Sequence, residues 1–282
     1  MANVFSAPVI ELVELNNLFI ELTAKNCNQR CKHCYIDFPI SKNVKDFISI
    51  DKIKEALNDS TKENIEYIYL TGAEPMTHPE FNSILRLCLK RASVCICTNA
   101  TFINEKKARF LKKVEDESRN EIIFKLSIDH YNEIRNDDIR GRGAYRQTVS
   151  AIKSLIKYGF NPMLNITNYY NEDEKVLVEE FTKLCNKIGF EANDFNIQVN
   201  QYYNIYNKPV LEPMEKACLM ELDCKTGRVL TDKGIYACPF LTNDHRGRMG
   251  NSFKDFSKKI YLETDFCSTC LKSKNKIFGL NL

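Results

Sequence analysis

The chain has 282 residues, 44% of them hydrophobic, with 40 basic and 37 acidic residues interleaved to a net charge of +3. That length builds one large domain, or one with a small appendage, and the apolar content suffices for a full core. The balanced charge argues against nucleic acid or a membrane surface as partner, and neither a membrane-length apolar run nor a signal-peptide core is present, so a cytoplasmic protein is expected.

In chain order, residues 1–16 carry no clear signal and are expected to lie across one end of the fold. Residues 17–24 read as a first strand, which runs into Cys27-Asn28-Gln29-Arg30-Cys31-Lys32-His33-Cys34. Ser49 is placed to cap a helix with apolar positions Ile50, Ile53 and Leu57. Residues 65–70 form a second strand that ends in Thr71-Gly72-Ala73-Glu74-Pro75, and 78–92 a helix. Strands at 94–98, 122–128, 162–167 and 195–199 alternate with helices at 105–114, 145–158 and 172–188, the last two stopped by Gly159 and Gly189. Six strand-then-helix units in succession predict a parallel sheet with right-handed crossovers, and functional residues on the loops at the C-terminal strand ends.

Twelve cysteines without an export signal point to reduced thiols and metal ligands. Three of them, Cys27, Cys31 and Cys34, fall within eight residues and are surrounded by polar side chains. Structural zinc and electron-transfer clusters each want four ligands. Three thiolates can instead hold three irons of a [4Fe–4S] cube and leave the fourth iron open. This C-x3-C-x2-C motif followed by Tyr35 resembles the cluster motif of the radical S-adenosylmethionine (SAM) superfamily. The resemblance implies that SAM binds the open iron and is cleaved to methionine and a 5′-deoxyadenosyl radical, which takes hydrogen from a substrate. It also implies an α/β fold, a partial (β/α)6 TIM-like barrel over residues 1–210, with a lateral opening.

Further positions resemble SAM-contacting motifs of that family. Gly72-Ala73-Glu74-Pro75 matches a Gly-Gly-Glu-Pro loop that receives the methionine amino group, with Ala73 in place of the second Gly. Thr98-Asn99 matches a Thr-Asn-Gly edge, with Ala100 in place of Gly. Ser127 and Asp129 take positions used for the SAM ribose, and Arg140 that of a partner for the SAM carboxylate. In the bland alternative, the Arg140 stretch is a solvated surface. His33 is expected to pack in the cluster loop.

From residue 211 the strand–helix rhythm stops, so the tail is not expected to extend the barrel. Residues 227–236 read as a hairpin that turns at Asp232-Lys233-Gly234. Cys224 and Cys238 flank it, and Cys267-x2-Cys270 closes the chain. The pattern is similar to the twitch domain, the one-cluster relative of the SPASM extension, and implies an auxiliary [4Fe–4S] cluster on those four thiols within 211–282. Zinc on the same ligands is the alternative, as is Cys218 in place of Cys224. A free Cys218 is the candidate hydrogen-atom donor, and packing against the barrel its plainer role. Cys88, Cys95, Cys97 and Cys185 read as core residues.

The expected function is a radical SAM oxidoreductase or modifying enzyme acting on a peptide or small polar molecule, supplied with electrons by a flavodoxin- or ferredoxin-type reductant. With only 26 residues before Cys27, a leader-bearing peptide would call for a separate leader-binding protein, and a cobalamin domain does not fit. A non-catalytic two-cluster electron carrier or scaffold is the alternative, and a zinc-stabilised nucleic-acid binder is disfavoured by the charge balance.

Overall fold

The computed structural model describes residues 8–36, 45–193, 195–202, 223–264, 266, 267 and 270. A short strand β1 (Val9–Glu11) precedes β2 (Asn17–Thr23). Helix α1 (Ile50–Asp59) follows, with the Ser49 hydroxyl accepting from the Lys52 amide as its cap. Then come β3 (Tyr67–Gly72), α2 (Phe81–Leu89), β4 (Ser93–Thr98), α3 (Glu105–Asp116) and β5 (Ile122–Ser127). Helices α4 (Glu133–Arg140) and α5 (Ala144–Lys157) lead to β6 (Met163–Asn168), α6 (Glu174–Lys187) and β7 (Ile197–Gln201). The tail supplies β8 (Gly227–Thr231), β9 (Gly234–Tyr236), β10 (Arg248–Ser252), β11 (Asp255–Phe256) and β12 (Lys259–Tyr261).

Strands β2 to β7 pair in sequence order and in parallel, as the strand–helix rhythm predicts. Period-two alternation sends one set of side chains outward: Leu18, Ile20, Ile68, Leu70, Val94, Ile96, Leu126 and Leu164 are all 0% exposed beneath the helices. Each such side chain contributes about 1.5–3 kcal/mol by leaving water. The other set forms a second, inner core of Phe19, Tyr69, Cys95, Met163, Val229 and Tyr236. Met163 on β6 and Val229 on β8 lie five strands apart in the sheet order. At about 4.8 Å per strand a flat sheet would spread them roughly 24 Å apart, yet inward residues from β2 to β7, Phe19 and Asn200 among them, line one cavity, so the sheet curls. The curl makes an open, barrel-like lumen, with β7 and β11 as its edges among the described residues.

One sequence expectation, and the bland alternative for the Arg140 stretch, need correction. The tail does extend the sheet: β8 pairs in parallel with β2, Phe19 opposite Val229, and β9 to β11 continue it antiparallel. Strand pairing depends on backbone edges, and β2 has a free edge that no preceding strand–helix unit covers. The stretch ending in Arg140 is helical and buried at its end, with Asn132 accepting from the amides of Ile134 and Arg135 as its cap. Within the N-terminal stretch, β1 pairs antiparallel with β12.

Gly72 ends β3 at φ +115°, and a Cβ there would lie 2.3 Å from the Thr23 carbonyl oxygen. Gly159 also has positive φ, at +83°, but open space around it. Gly159→Ala should therefore cost about 1–2 kcal/mol. Gly72→Ala should cost more, roughly 3 kcal/mol, because backbone must also move. Thermal unfolding of the two variants side by side checks the ranking, and equal losses would contradict it.

Candidate functional site

The loops at the C-terminal ends of β2 to β7 converge on one mouth. After β2, the thiols of Cys27, Cys31 and Cys34 are half-buried in one loop. Burial pushes all three upward in pKa, Cys31 to about 11. Nitrogen donors nevertheless face the sulfurs: the Gln29 amide lies 3.4 Å and Asn99 Nδ2 3.7 Å from Cys27 Sγ, and Arg140 Nη1 3.8 Å from Cys31 Sγ. Donors suit thiolates, so the set fits a group that deprotonates thiols outright, as iron does. Among the described residues no three His, Cys, Asp or Glu side chains converge on a single metal ion. A cubane needs no such convergence, because each thiolate takes its own iron.

Beside this loop, Gly72 allows the close approach described above, and the Ala73 amide donates to the Thr23 carbonyl at 2.8 Å. Ala73 is not among the residues with positive φ, so its methyl is tolerated in place of the second Gly. Ala100, in place of the other family Gly, does sit at φ 67° and carries that strain. Glu74 is fully buried. Its carboxylate accepts from the Met76 amide at 3.1 Å, the Thr98 hydroxyl at 2.7 Å and the Asn99 amide at 2.9 Å. Burial raises its pKa against those bonds. Glu74 thus ties the loop after β3 to the end of β4.

The end of β5 meets the end of α4. Asp129, with a fully buried carboxylate, lies 2.5 Å from Arg140 Nε and 2.6 Å from His33 Nε2, and accepts from the Thr167 amide at 3.0 Å. Burial alone would raise the Asp129 carboxyl, but Arg140 and His33 outweigh it and hold it well below the usual range. The structure thus joins Asp129 and Arg140, expected as separate contacts to SAM, in one ion pair. The Arg140 Nε–carboxylate approach is close but lacks hydrogen-bond alignment. The Lys32 amide donates to the Ile139 carbonyl at 2.9 Å and anchors the thiol loop to the same helix end.

Below the mouth lies a cavity of about 270 Å³, bordered by Ser127, Asn165, Arg140, His33 and Tyr35 above and by Lys125 and Cys97 deeper in the lumen. Tyr35 packs edge-on against Phe240 of the tail, 5.2 Å between ring centroids. Cys97 is a correction: read as core, it lines the cavity opposite Lys125 in the β4–β5 register. A hydrogen bond from Cys95 and the charge of Lys125 hold the Cys97 thiol below its ordinary value. Cys88, Cys95 and Cys185 are buried, as expected. The sequence reading missed Lys125 and Asn165 and gave His33 a packing role. Alternation from the inward Ser127 was the available signal for Lys125.

The tail brings four thiols together. Cys224 precedes β8, Cys238 follows β9, and Cys267 and Cys270 lie near the end of the described chain. Burial pushes Cys238 well up, and Cys267, Cys224 and Cys270 each push it further by their proximity. Cys218 lies outside the described residues.

The sequence profile of the radical SAM superfamily matches residues 22–184, more than half the chain. The chain belongs to the radical SAM superfamily. Membership implies a [4Fe–4S] cluster and SAM as cofactors. Among relatives, the antilisterial bacteriocin subtilosin biosynthesis protein AlbA of Bacillus subtilis is 32% identical over 178 residues, which is 62% of this chain and 38% of AlbA. The mycofactocin maturase MftC of Mycobacterium tuberculosis is 23% identical over 255 residues, 78% of this chain and 63% of MftC. The radical SAM chain thus spans under two thirds of the length of either relative. The solved structure of anSMEcpe with bound AdoMet superposes with a TM-score of 0.64 at 16% identity, covering 91% of this chain and 82% of that one. A further anSMEcpe structure holds AdoMet and the Cp18Cys peptide. At that identity the likeness concerns the fold.

Asp129→Asn would leave the Arg140 charge buried without its partner, at about 3–5 kcal/mol. That corresponds to an apparent Tm roughly 10 °C lower, measured anaerobically at pH 7. The Asp129 pKa is depressed on folding, so its contribution is complete above its ordinary value of about 4 and fades as pH falls below it. The gap between wild type and variant should therefore narrow in strong acid; a gap independent of pH would contradict the assignment.

Proposed function

We propose that this protein is a radical SAM enzyme that modifies a peptide, with the first cluster on Cys27, Cys31 and Cys34. The carrying observation is the cavity, which has the thiol loop and the Asp129–Arg140 pair at its mouth and polar side chains in its depth. A cluster held by Cys27, Cys31 and Cys34 would supply the reductive, hydrogen-abstracting chemistry of SAM. The chain's own residues orient and enclose. Gly72, Ala73 and Asn99 offer backbone and amide groups to the methionine end of SAM, Arg140 offers its remaining guanidinium face to the carboxylate, and Ser127 meets the ribose. Tyr35 and Phe240 wall the mouth against water.

Lys125 lies two residues deeper than Ser127 on the same inner face, about 6–7 Å further into the lumen. No acidic residue lines the cavity among the described residues. A substrate side chain with hydrogen-bond acceptors is therefore favoured there. A peptide accords with the names of AlbA and MftC and with the peptide held by anSMEcpe. Cys224, Cys238, Cys267 and Cys270 are assigned an auxiliary [4Fe–4S] cluster, and a flavodoxin- or ferredoxin-type protein the role of reductant.

Iron and acid-labile sulfide analysis after anaerobic reconstitution tests the ligand assignment. Wild type should hold about eight irons per chain, and the Cys27→Ala, Cys31→Ala, Cys34→Ala triple variant about four. Cys238→Ala should also lose about four. Fewer than about three irons in the wild type would overturn the reading, and zinc in the triple variant would replace the auxiliary cluster with a structural zinc site.

A further inference from the structure

Arg228, on β8 between Cys224 and Cys238 in sequence, is 0% exposed. Its Nη1 donates to the carbonyl oxygens of Cys224 at 2.8 Å and Gly227 at 2.7 Å, and its Nη2 to that of Lys258 at 2.9 Å. Its Nε has no hydrogen-bond partner among the described residues. Arg140, the other buried arginine among the described residues, has Asp129 as its counter-charge. Arg228 makes no ion pair with a carboxylate of any described residue. Among the described residues, the groups that would face it with opposite charge are Cys224 and Cys238, once their thiols are ionised by a bound metal centre.

A guanidinium keeps its charge on burial, and a buried charge without a counter-charge is strongly destabilising. Backbone carbonyls spread that charge but do not cancel it. We infer that Arg228 is the fixed counter-ion of an anionic [4Fe–4S] centre on Cys224, Cys238, Cys267 and Cys270, and that its charge raises the reduction potential of that centre. The inference rests on the auxiliary-cluster reading above. Four thiolates outweigh the positive charge of the cluster core, so the assembly is anionic, and accepting one electron from the external reductant makes it more so. A cation close by in a low-dielectric interior stabilises the reduced state more than the oxidised one. The three carbonyl bonds keep the guanidinium from swinging away, so the effect is built into the fold. Arg228 is a positioning residue in this account, since its effect on chemistry passes through the centre.

Potentiometric titration of the full chain carrying both clusters, followed by electron paramagnetic resonance with and without SAM, tests this. The signal that SAM leaves unchanged belongs to the tail centre. Arg228→Lys keeps the charge and should hold the tail midpoint near the wild-type value. Arg228→Gln keeps donors for the carbonyls but removes the charge, and should shift that midpoint downward while the SAM-sensitive signal stays put. A Gln variant that retains its iron at the wild-type potential overturns the inference, as does an equal shift in the Lys and Gln variants. Loss of tail iron in both variants also overturns it, leaving Arg228 a staple for the fold. Absence of a second cluster in the wild type is visible separately in the iron content, and defeats the reading beneath the inference.

Discussion

The structure depends on the buried ion pair between Asp129 and Arg140. It fastens the end of β5 to the end of α4, and through His33 and the Lys32 amide it fastens both to the thiol loop after β2. Removing Asp129 leaves the Arg140 charge buried without its partner, and removing Arg140 leaves the buried Asp129 carboxylate to His33 and the Thr167 amide. The pair therefore fixes where Cys31 stands relative to Ser127 and the cavity. Glu74 makes the corresponding tie on the other side of the mouth, where three neutral donors hold its carboxylate between the loop after β3 and the end of β4.

The curled sheet turns these local ties into a site. Because β2 to β7 run in parallel, every loop that carries chemistry opens on the same end, and the curl brings them round one lumen. The tail completes the wall. Strand β8 takes the free edge of β2, and Phe240 reaches the mouth beside Tyr35. Cys224 and Cys238, which flank β8 and β9, consequently border the same continuous sheet that carries the thiol loop.

Much of this was legible in the sequence. The strand–helix rhythm, the Ser49 cap, the stops at Gly159 and Gly189, and the thiol spacing are all local signals, and local signals survive without tertiary knowledge. Pairings between distant residues were not legible. That Asp129 would meet Arg140 and His33 depends on helix α4, whose charged sequence reads as a solvated surface until its last residue is buried. That β8 would join β2 depends on which sheet edge is free. Cys97 looked like core because it sits in an apolar strand; only the inward face of a curled sheet makes it cavity-lining. Arg228, in a short hairpin strand, gave no signal at all, since burial of a lone arginine is decided by the surrounding fold.

The central claim is that the mouth of this barrel performs reductive cleavage of SAM. Incubating dithionite-reduced, iron-replete protein with SAM and quantifying products by mass spectrometry tests it most directly. The account predicts 5′-deoxyadenosine and methionine in equal amounts, formed slowly without substrate. Reduced, iron-replete protein that leaves SAM intact would contradict it.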